Sequence, residues 1–148
     1  MATSDGDQAF RSRSTVVPTL RYRDGHAAII WLKRAFGFST QLVIADASGA
    51  VAHAQLTYGD GMIMLGAAAH NEFHSLVKSP LESGNVGSQS VYIMVTEIDA
   101  HHAKAVAAGG AIVIALKDAD GGRGYSCRDP GGHIWNFGTY DPWTSKPT

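Results

Sequence analysis

Residues 128–138 read RDPGGHIWNFG, and this stretch predicts a tight turn followed by a β-strand. Pro130 restricts φ at the corner, while Gly131 and Gly132 can adopt the positive φ angles that such a turn needs. The segment 134–137 consists mainly of β-branched and aromatic residues, which favour strands. A short turn of this kind joins two neighbouring antiparallel strands, so another strand is predicted directly before it.

Upstream of this stretch, residues 15–66 predict one strand, one helix and then three strands. Asp24 is a suitable helix N-cap and Gly37 a suitable helix stop, with apolar residues at helical spacing between them. The strands of this first module are predicted at residues 15–23, 39–46, 51–58 and 62–66.

The same order of elements recurs in residues 90–140, where an alanine-rich helix at 100–108 ends at two glycines. The strands of this second module are predicted at residues 90–95, 112–116, 125–128 and 133–138. The repeat predicts an α+β fold in which two βαβββ modules form a curved mixed sheet around a concave cleft. A cleft between repeated modules is a natural ligand site.

The remaining segments are polar. Residues 1–14 are predicted to be a disordered tail, 67–89 a connection between the modules, and 141–148 a second tail. With 148 residues, of which 45% are hydrophobic and 17% charged, the chain is predicted to form one domain overall.

Charge and cysteine content narrow the classes of partner and the compartment. The net charge is −1 and no Lys/Arg cluster is interleaved with aromatic residues, so neither nucleic acid nor an anionic membrane is a favoured partner. A single cysteine, Cys127, excludes an internal disulfide, and no apolar run has the length of a membrane span or the character of a signal peptide. We therefore predict a cytoplasmic protein whose partner is a small molecule.

Three pieces in order carry a family resemblance: LRYRDGHAAIIWLKRAFGF (20–38), HAQLTYGDGMIML (53–65) and the Asp-Pro-Gly-Gly turn. With them the chain resembles the vicinal oxygen chelate superfamily of glyoxalases, extradiol dioxygenases and bleomycin-resistance proteins, and is most similar to its small bleomycin-resistance-like members. The resemblance covers residues 15–140. It implies the two-module fold, a small-molecule site in the cleft and a homodimer, in which exchange of modules is an option.

The resemblance also implies a divalent metal held by the first and last strands of each module, usually by two His and two Glu. Here those positions fall on Val17, Met64, Ser90 and Asn136, and none is a histidine or a carboxylate. Valine and methionine offer a hard ion no suitable ligand, and shifting the register by one residue brings no better set. We therefore predict no metal and no other cofactor. His70 and His74 are spaced for one helical face, but two solvated histidines are the simpler interpretation without a third ligand.

Strand alternation predicts which residues face the cleft. Ala54 and Leu56 should pack on the helix, which turns His53 and Gln55 toward the cleft. In a functional interpretation, His53 hydrogen-bonds the ligand or acts as a general base. In a structural interpretation, His53 and Gln55 only hydrogen-bond to each other, and both interpretations stay open. The other predicted ligand-binding residues are Thr19, Arg21, Met62, Met64, Ser90, Tyr92, Met94 and Asn136. Such a methionine-rich, lightly polar wall suits a sizeable, partly planar molecule.

Three further residues are weighed against simpler roles. Arg123, in the glycine-rich stretch DADGGRG (118–124), and Arg128 are candidates for binding an anionic group of a ligand, but Arg128 next to Asp129 favours a local ion pair. Cys127 is predicted to point into the core and has no histidine beside it, so a role as nucleophile is disfavoured.

These predictions lead to a metal-free protein that binds a small hydrophobic or aromatic molecule in its cleft and sequesters it, as an antibiotic-resistance protein would. The competing interpretation is a lyase, isomerase or dioxygenase of the same superfamily. Such an enzyme would be metal-dependent with displaced ligands, or would use His53 as its base.

Overall fold

In the computed structural model of the chain, residues 13–67, 72–119 and 121–144 are described. The chain divides into two compact units. The first contains the chain up to Lys33 together with Gly37–Ser79, and the second contains Arg34–Phe36 and the chain from Pro80 onward. Each unit carries one four-stranded sheet.

The first sheet has the strand order β1-β4-β3-β2. Its strands are β1 (Thr19–Arg21), β2 (Ser39–Ala45), β3 (Val51–Tyr58) and β4 (Gly61–Gly66). β1 is parallel to β4, whereas the β2/β3 and β3/β4 pairs are antiparallel. The sheet is therefore mixed, with β1 beside the last strand of its own module.

The second sheet repeats this arrangement with the strand order β5-β8-β7-β6. Its strands are β5 (Val91–Met94), β6 (Ala111–Ala119), β7 (Gly122–Arg128) and β8 (Ile134–Gly138). β5 is parallel to β8, and the β6/β7 and β7/β8 pairs are antiparallel. The predicted turn at 129–132 thus joins the antiparallel strands β7 and β8. Within this turn, Gly132 has a φ of 89°.

The first helix begins and ends where local chemistry favours it. In α1 (Gly25–Phe36) the Asp24 side chain accepts a hydrogen bond from Ala27 N at 3.0 Å, and Gly37 ends the helix in the left-handed conformation at a φ of 85°. α2 spans Ile98–Ala107.

The buried apolar side chains of each sheet lie on one face. The first sheet buries Leu20, Ala54, Leu56, Ile63 and Leu65, and the second buries Tyr125, Cys127, Trp135 and Phe137. We call the opposite, half-buried or exposed faces the first open face and the second open face. Burial on one face only is what strand alternation predicts for a sheet covered on one side.

The predicted α+β fold of two βαβββ modules is confirmed, with differences in strand length. β1 is shorter than predicted, while β6 and β7 are longer, so most of the stretch 118–124 lies in a hairpin where a loop was predicted. Its glycines fit a strand because neighbouring backbone lies close: a Cβ on Gly124 would lie 2.5 Å from the carbonyl oxygen of Phe137.

Two further observations bear on partners. All seven residues of β2, the outermost strand of the first sheet, are exposed; the predicted homodimer stays a prediction. Across the residues that the structure describes, no helix is long and apolar enough to cross a membrane. His70 and the side chain of His74 lie outside the described residues, so the structure does not describe whether they could share a metal ion.

Candidate functional site

The first open face gathers the residues predicted from the first module. Pairing places Gln55 and Thr19 on either side of Met64, and Thr57 opposite Met62. Arg21 lies one step further along β1, where its guanidinium carbon is 5.7 Å from the centre of the Phe73 ring. The predicted residues of this module, Thr19, Arg21, His53, Gln55, Met62 and Met64, therefore share one face of the sheet.

Three side chains on this face form a hydrogen-bonded chain. The Gln55 amide nitrogen donates to the side-chain oxygen of Gln41, so Gln55 Oε1 is left to accept from His53 Nε2 at 2.9 Å. His53 Nε2 is accordingly the donor, which in the neutral form of the ring leaves Nδ1 as the acceptor nitrogen. The predicted contact of His53 with Gln55 is present, but it engages one ring nitrogen only. Gln41 was not predicted, because it lies at a register irregularity between Thr40 and Leu42.

The second open face gathers the residues predicted from the second module. Tyr92 pairs with Asn136, and Met94 pairs with Gly138, so these residues alternate with the buried Trp135 and Phe137. Tyr92 and Met94 are each 43% exposed. An aromatic ring and a thioether therefore lie open to solvent two residues apart, on the same face of one strand.

Tyr92 is held in place by two contacts. Its hydroxyl donates to the carbonyl oxygen of Tyr140 at 2.7 Å. A Cβ on Gly138 would lie 2.7 Å from this hydroxyl and 3.2 Å from ring carbon Cε2, so the ring lies directly over the glycine. Desolvation, together with the neighbouring Tyr140 and Asp141, raises the pKa of Tyr92, which keeps the phenol protonated at neutral pH. Its free ring surface is thus a fixed, neutral aromatic surface.

Asn136 shows whether the superfamily's metal fits this chain. Its Oδ1 accepts from the Ser126 hydroxyl at 2.7 Å, while its Nδ2 donates to Ser90 Oγ at 2.9 Å and to the carbonyl of Val91 at 3.1 Å. The amide is thus used in a side-chain network. With Met64 and Val17 at the other ligand positions, the donor set does not fit a hard divalent ion. Within 13–67, 72–119 and 121–144, no three His, Cys, Asp or Glu residues are grouped to hold a metal.

The expected local ion pair between Arg128 and Asp129 is not formed. Asp129 is buried, and its carboxylate accepts from Trp135 Nε1 at 2.9 Å and from His133 N at 3.0 Å. Arg123, by contrast, pairs with two carboxylates. The Asp129 carboxylate does not pair with Arg128 because it accepts hydrogen bonds from buried N–H groups instead.

Cys127 points into the core as predicted. It is 0% exposed, and burial, reinforced by the Asp129 carboxylate, raises the pKa of its thiol to about 11. The thiol is therefore protonated at neutral pH and unsuited to nucleophilic attack.

His101 on α2 is a buried polar group that packs among the rings of Phe36, Tyr125 and Phe137. Its Nε2 lies 3.0 Å from the carbonyl oxygen of Phe36, which can only accept, so Nε2 carries the proton and Nδ1 accepts from the Tyr125 hydroxyl at 2.6 Å. Burial lowers the pKa of His101 from the ordinary 6.5, and nearby Lys104 adds to this, while the hydrogen bond to Phe36 opposes it. His101 is therefore a neutral packing residue.

His101 predicts how stability depends on pH. Since its pKa is lowered in the folded chain, the unfolded chain takes up the proton first as the pH falls through the ordinary value of 6.5, and stability should decline below that value. Above it both states are neutral and this residue adds no pH dependence. Urea denaturation at several pH values should show the decline in the wild type and a weaker one in His101→Gln. An identical pH profile for wild type and His101→Gln would contradict this account.

Comparison with known proteins agrees with the fold. Residues 15–137 match the Glyoxalase/Bleomycin resistance protein/Dioxygenase superfamily. The solved structure of TioX from Micromonospora sp. ML1 is 34% identical, with 84% of this chain and 94% of that chain covered and a TM-score of 0.66. No curated protein sequence matches.

Two more distant structures share the fold. The bleomycin-binding protein from bleomycin-producing Streptomyces verticillus, complexed with copper(II)-bleomycin, is 22% identical, with 82% of this chain and 92% of that chain covered and a TM-score of 0.55. The fosfomycin resistance protein FosX from Listeria monocytogenes is 13% identical, with 84% and 91% covered and a TM-score of 0.61. From the match over 15–137 and the likeness to TioX, the chain belongs to the Glyoxalase/Bleomycin resistance protein/Dioxygenase superfamily.

Proposed function

We propose that this protein binds a small hydrophobic or aromatic molecule on its open sheet faces, without a metal, and thereby sequesters it. The observation that carries the proposal is the fixed ring of Tyr92 beside Met94, both 43% exposed. An exposed aromatic ring that is already ordered loses little conformational freedom when a planar ligand stacks on it.

The composition of the two open faces supports the same class of ligand. Met62 and Met64 are half-buried on the first open face, and Met94 is exposed on the second. Thioether side chains adapt to irregular apolar molecules and make favourable contacts with aromatic rings. Sequestration needs affinity and no chemistry, so it is compatible with the absence of metal-ligating side chains at the superfamily's positions. The bleomycin-binding protein with this fold was solved with copper(II)-bleomycin, which supports an antibiotic as one ligand class to test.

A fluorescence titration tests the proposal. Saturable quenching of intrinsic Tyr and Trp emission is expected with at least one of a panel of aromatic antibiotics and aromatic metabolites. Tyr92→Ala should weaken that binding by about tenfold, the size of one lost stacking contact. Tyr92→Phe, which keeps the ring, and Trp143→Ala, which removes an aromatic side chain that is 85% exposed in the C-terminal tail, should bind nearly as the wild type.

Two results would count against the proposal. The first is a lack of saturable binding across the whole panel, and the second is equal affinity of wild type and Tyr92→Ala. A stoichiometric divalent ion in protein purified without a histidine tag would overturn the metal-free part alone.

One observation favours an enzyme as the second candidate. His53 donates through Nε2 to Gln55, which leaves Nδ1 as a basic nitrogen with its tautomer fixed, as a general base requires. In that case the panel would include a compound that is converted, and His53→Ala would abolish the conversion while leaving binding largely intact. Turnover that survives His53→Ala would remove this candidate.

A further inference from the structure

Arg128 is a cation with a buried, unused donor on the second open face. It lies at the end of β7, two residues beyond Ser126 and on the same side of the sheet, and its cross-strand neighbours are Ala111 and Ile134. The Nε atom is buried and has no hydrogen-bond partner, and neither ion pair among the described residues involves Arg128. A guanidinium N–H placed in this way normally has an acceptor.

Nearby acceptors are already engaged by other donors. The Asp129 carboxylate accepts from Trp135 Nε1 and His133 N, and Asn136 Oδ1 accepts from the Ser126 hydroxyl. The cross-strand neighbours of Arg128 have apolar side chains and offer none. Among the residues that the structure describes, none supplies an acceptor to Arg128 Nε.

Arg123 lies on the same strand but, unlike Arg128, forms ion pairs. It alternates onto the other side of β7, and its guanidinium binds Asp99 at 3.1 Å and Asp118 at 3.4 Å. One arginine of β7 is thus neutralised by the protein, and the other is left without a counter-charge on the face proposed to bind the ligand.

We propose that Arg128 binds a carboxylate of the ligand, so that the protein takes aromatic or hydrophobic carboxylic acids. This inference rests on the proposed function and specifies its ligand class. A planar guanidinium fork matches the two oxygens of a carboxylate. Tyr92 and Arg128 begin about 12 Å apart, two strands across and two residues along, a span suited to a fused-ring acid with its ring toward Tyr92.

The surrounding charges favour a single negative charge. The other basic residue of this face in the second sheet is Lys117. It pairs with Gly124, four residues along β7 from Arg128, and therefore begins about 14 Å from Arg128. A phosphate would gain from a second cation close by, which this arrangement does not offer to it. Ser90, whose oxygen accepts from Asn136, keeps its hydroxyl proton to donate to a polar group of the ligand.

A matched pair of probes tests the inference. 2-Naphthoate and 2-naphthamide have the same rings and differ in charge, and their binding can be followed by fluorescence. Wild-type protein should bind the carboxylate about tenfold or more tightly than the amide, as expected for a charge-assisted hydrogen bond. Arg128→Gln should lose this preference and bind the amide as before, while Arg128→Lys should keep part of it. The control Arg123→Gln makes the same change of charge on the other side of the strand and should keep the full preference.

The outcomes distinguish failure of the carboxylate-binding role of Arg128 from failure of the proposed function. Equal binding of the two probes to wild type, or a preference that persists in Arg128→Gln, would overturn the role of Arg128 while leaving aromatic binding intact. Saturable binding of neither probe would overturn the inference about Arg128, whereas the proposed function is overturned only if the whole panel of aromatic antibiotics and metabolites also fails to bind.

Thermal unfolding provides a readout that needs no ligand. Arg128→Met keeps the apolar stem and removes the unpartnered N–H, so its melting temperature should equal or exceed that of the wild type. A lower melting temperature, or failure to fold, would show that Arg128 is a structural residue and would also overturn the inference.

Discussion

Phe36→Ala is expected to lower the free energy of unfolding by about 3–5 kcal/mol, the usual loss when a buried aromatic ring is removed. Phe36 is 0% exposed, and its ring centroid lies 4.6 Å from that of Phe137 and 5.5 Å from that of Trp135. His101 stacks on it at 6.1 Å. Because these neighbours are rigid rings, they cannot move in to fill the space, and the cavity should remain largely open.

Chemical denaturation followed by circular dichroism measures this loss. Ile30→Ala is the matched control, since Ile30 is in the same helix but is 64% exposed, and its effect should stay within about 0.5 kcal/mol. Phe36→Leu should fall between the two, because it retains much of the buried volume. A loss below about 1 kcal/mol for Phe36→Ala would show that the ring is not part of the cooperative core.

Asp129→Ala is expected to cost about 2–4 kcal/mol, although it changes an acidic residue next to a turn. Asp129 is 4% exposed and is the acceptor for Trp135 Nε1 and for His133 N. Removing the carboxylate leaves two donors without that acceptor, and an unsatisfied buried donor costs about 1–3 kcal/mol. The carboxylate thus ties the turn to the strand that follows it.

The same denaturation experiment includes a control at an exposed carboxylate. The Asp99 side chain is 72% exposed and pairs with Arg123, so Asp99→Ala should cost no more than about 1 kcal/mol. Asp129→Asn should lie between the two, since it keeps one acceptor but turns an amide N–H₂ toward a donor. Equal losses for Asp129→Ala and Asp99→Ala would contradict the account of the turn.

Local chemistry was sufficient to predict the elements of this fold. Asp24 and Gly37 bound α1 because one accepts a hydrogen bond from the first turn and the other adopts a left-handed conformation. Strand β3 has the predicted bounds, Val51–Tyr58. The β6/β7 hairpin was harder to predict, because glycines that indicate a loop can also allow another strand to approach closely.

The sequence predicted on which face of each sheet the candidate site residues lie, but not which hydrogen bonds they form. Period-two alternation placed His53 and Gln55 on one side of the first sheet, and Tyr92 and Met94 on one side of the second, which is a property of any strand. The ligand-binding role of these residues stays a prediction. Arg128 was named from the sequence as a candidate for binding an anionic group, but its adjacency to Asp129 favoured an ion pair, whereas the aspartate accepts hydrogen bonds from Trp135 and His133.

The strand order has a consequence for synthesis on the ribosome. β5 opens its module, yet among the described strands it lies at the edge of its sheet, where it pairs with β8, the last strand of the module. During translation β5 therefore remains without a paired strand until the chain has been synthesised through Gly138. The β7/β8 hairpin is local and can form as soon as it leaves the exit tunnel, presenting the template on which β5 docks. A nascent chain that stalls before Ile134 would accordingly lack two strands of this sheet, its first and its last.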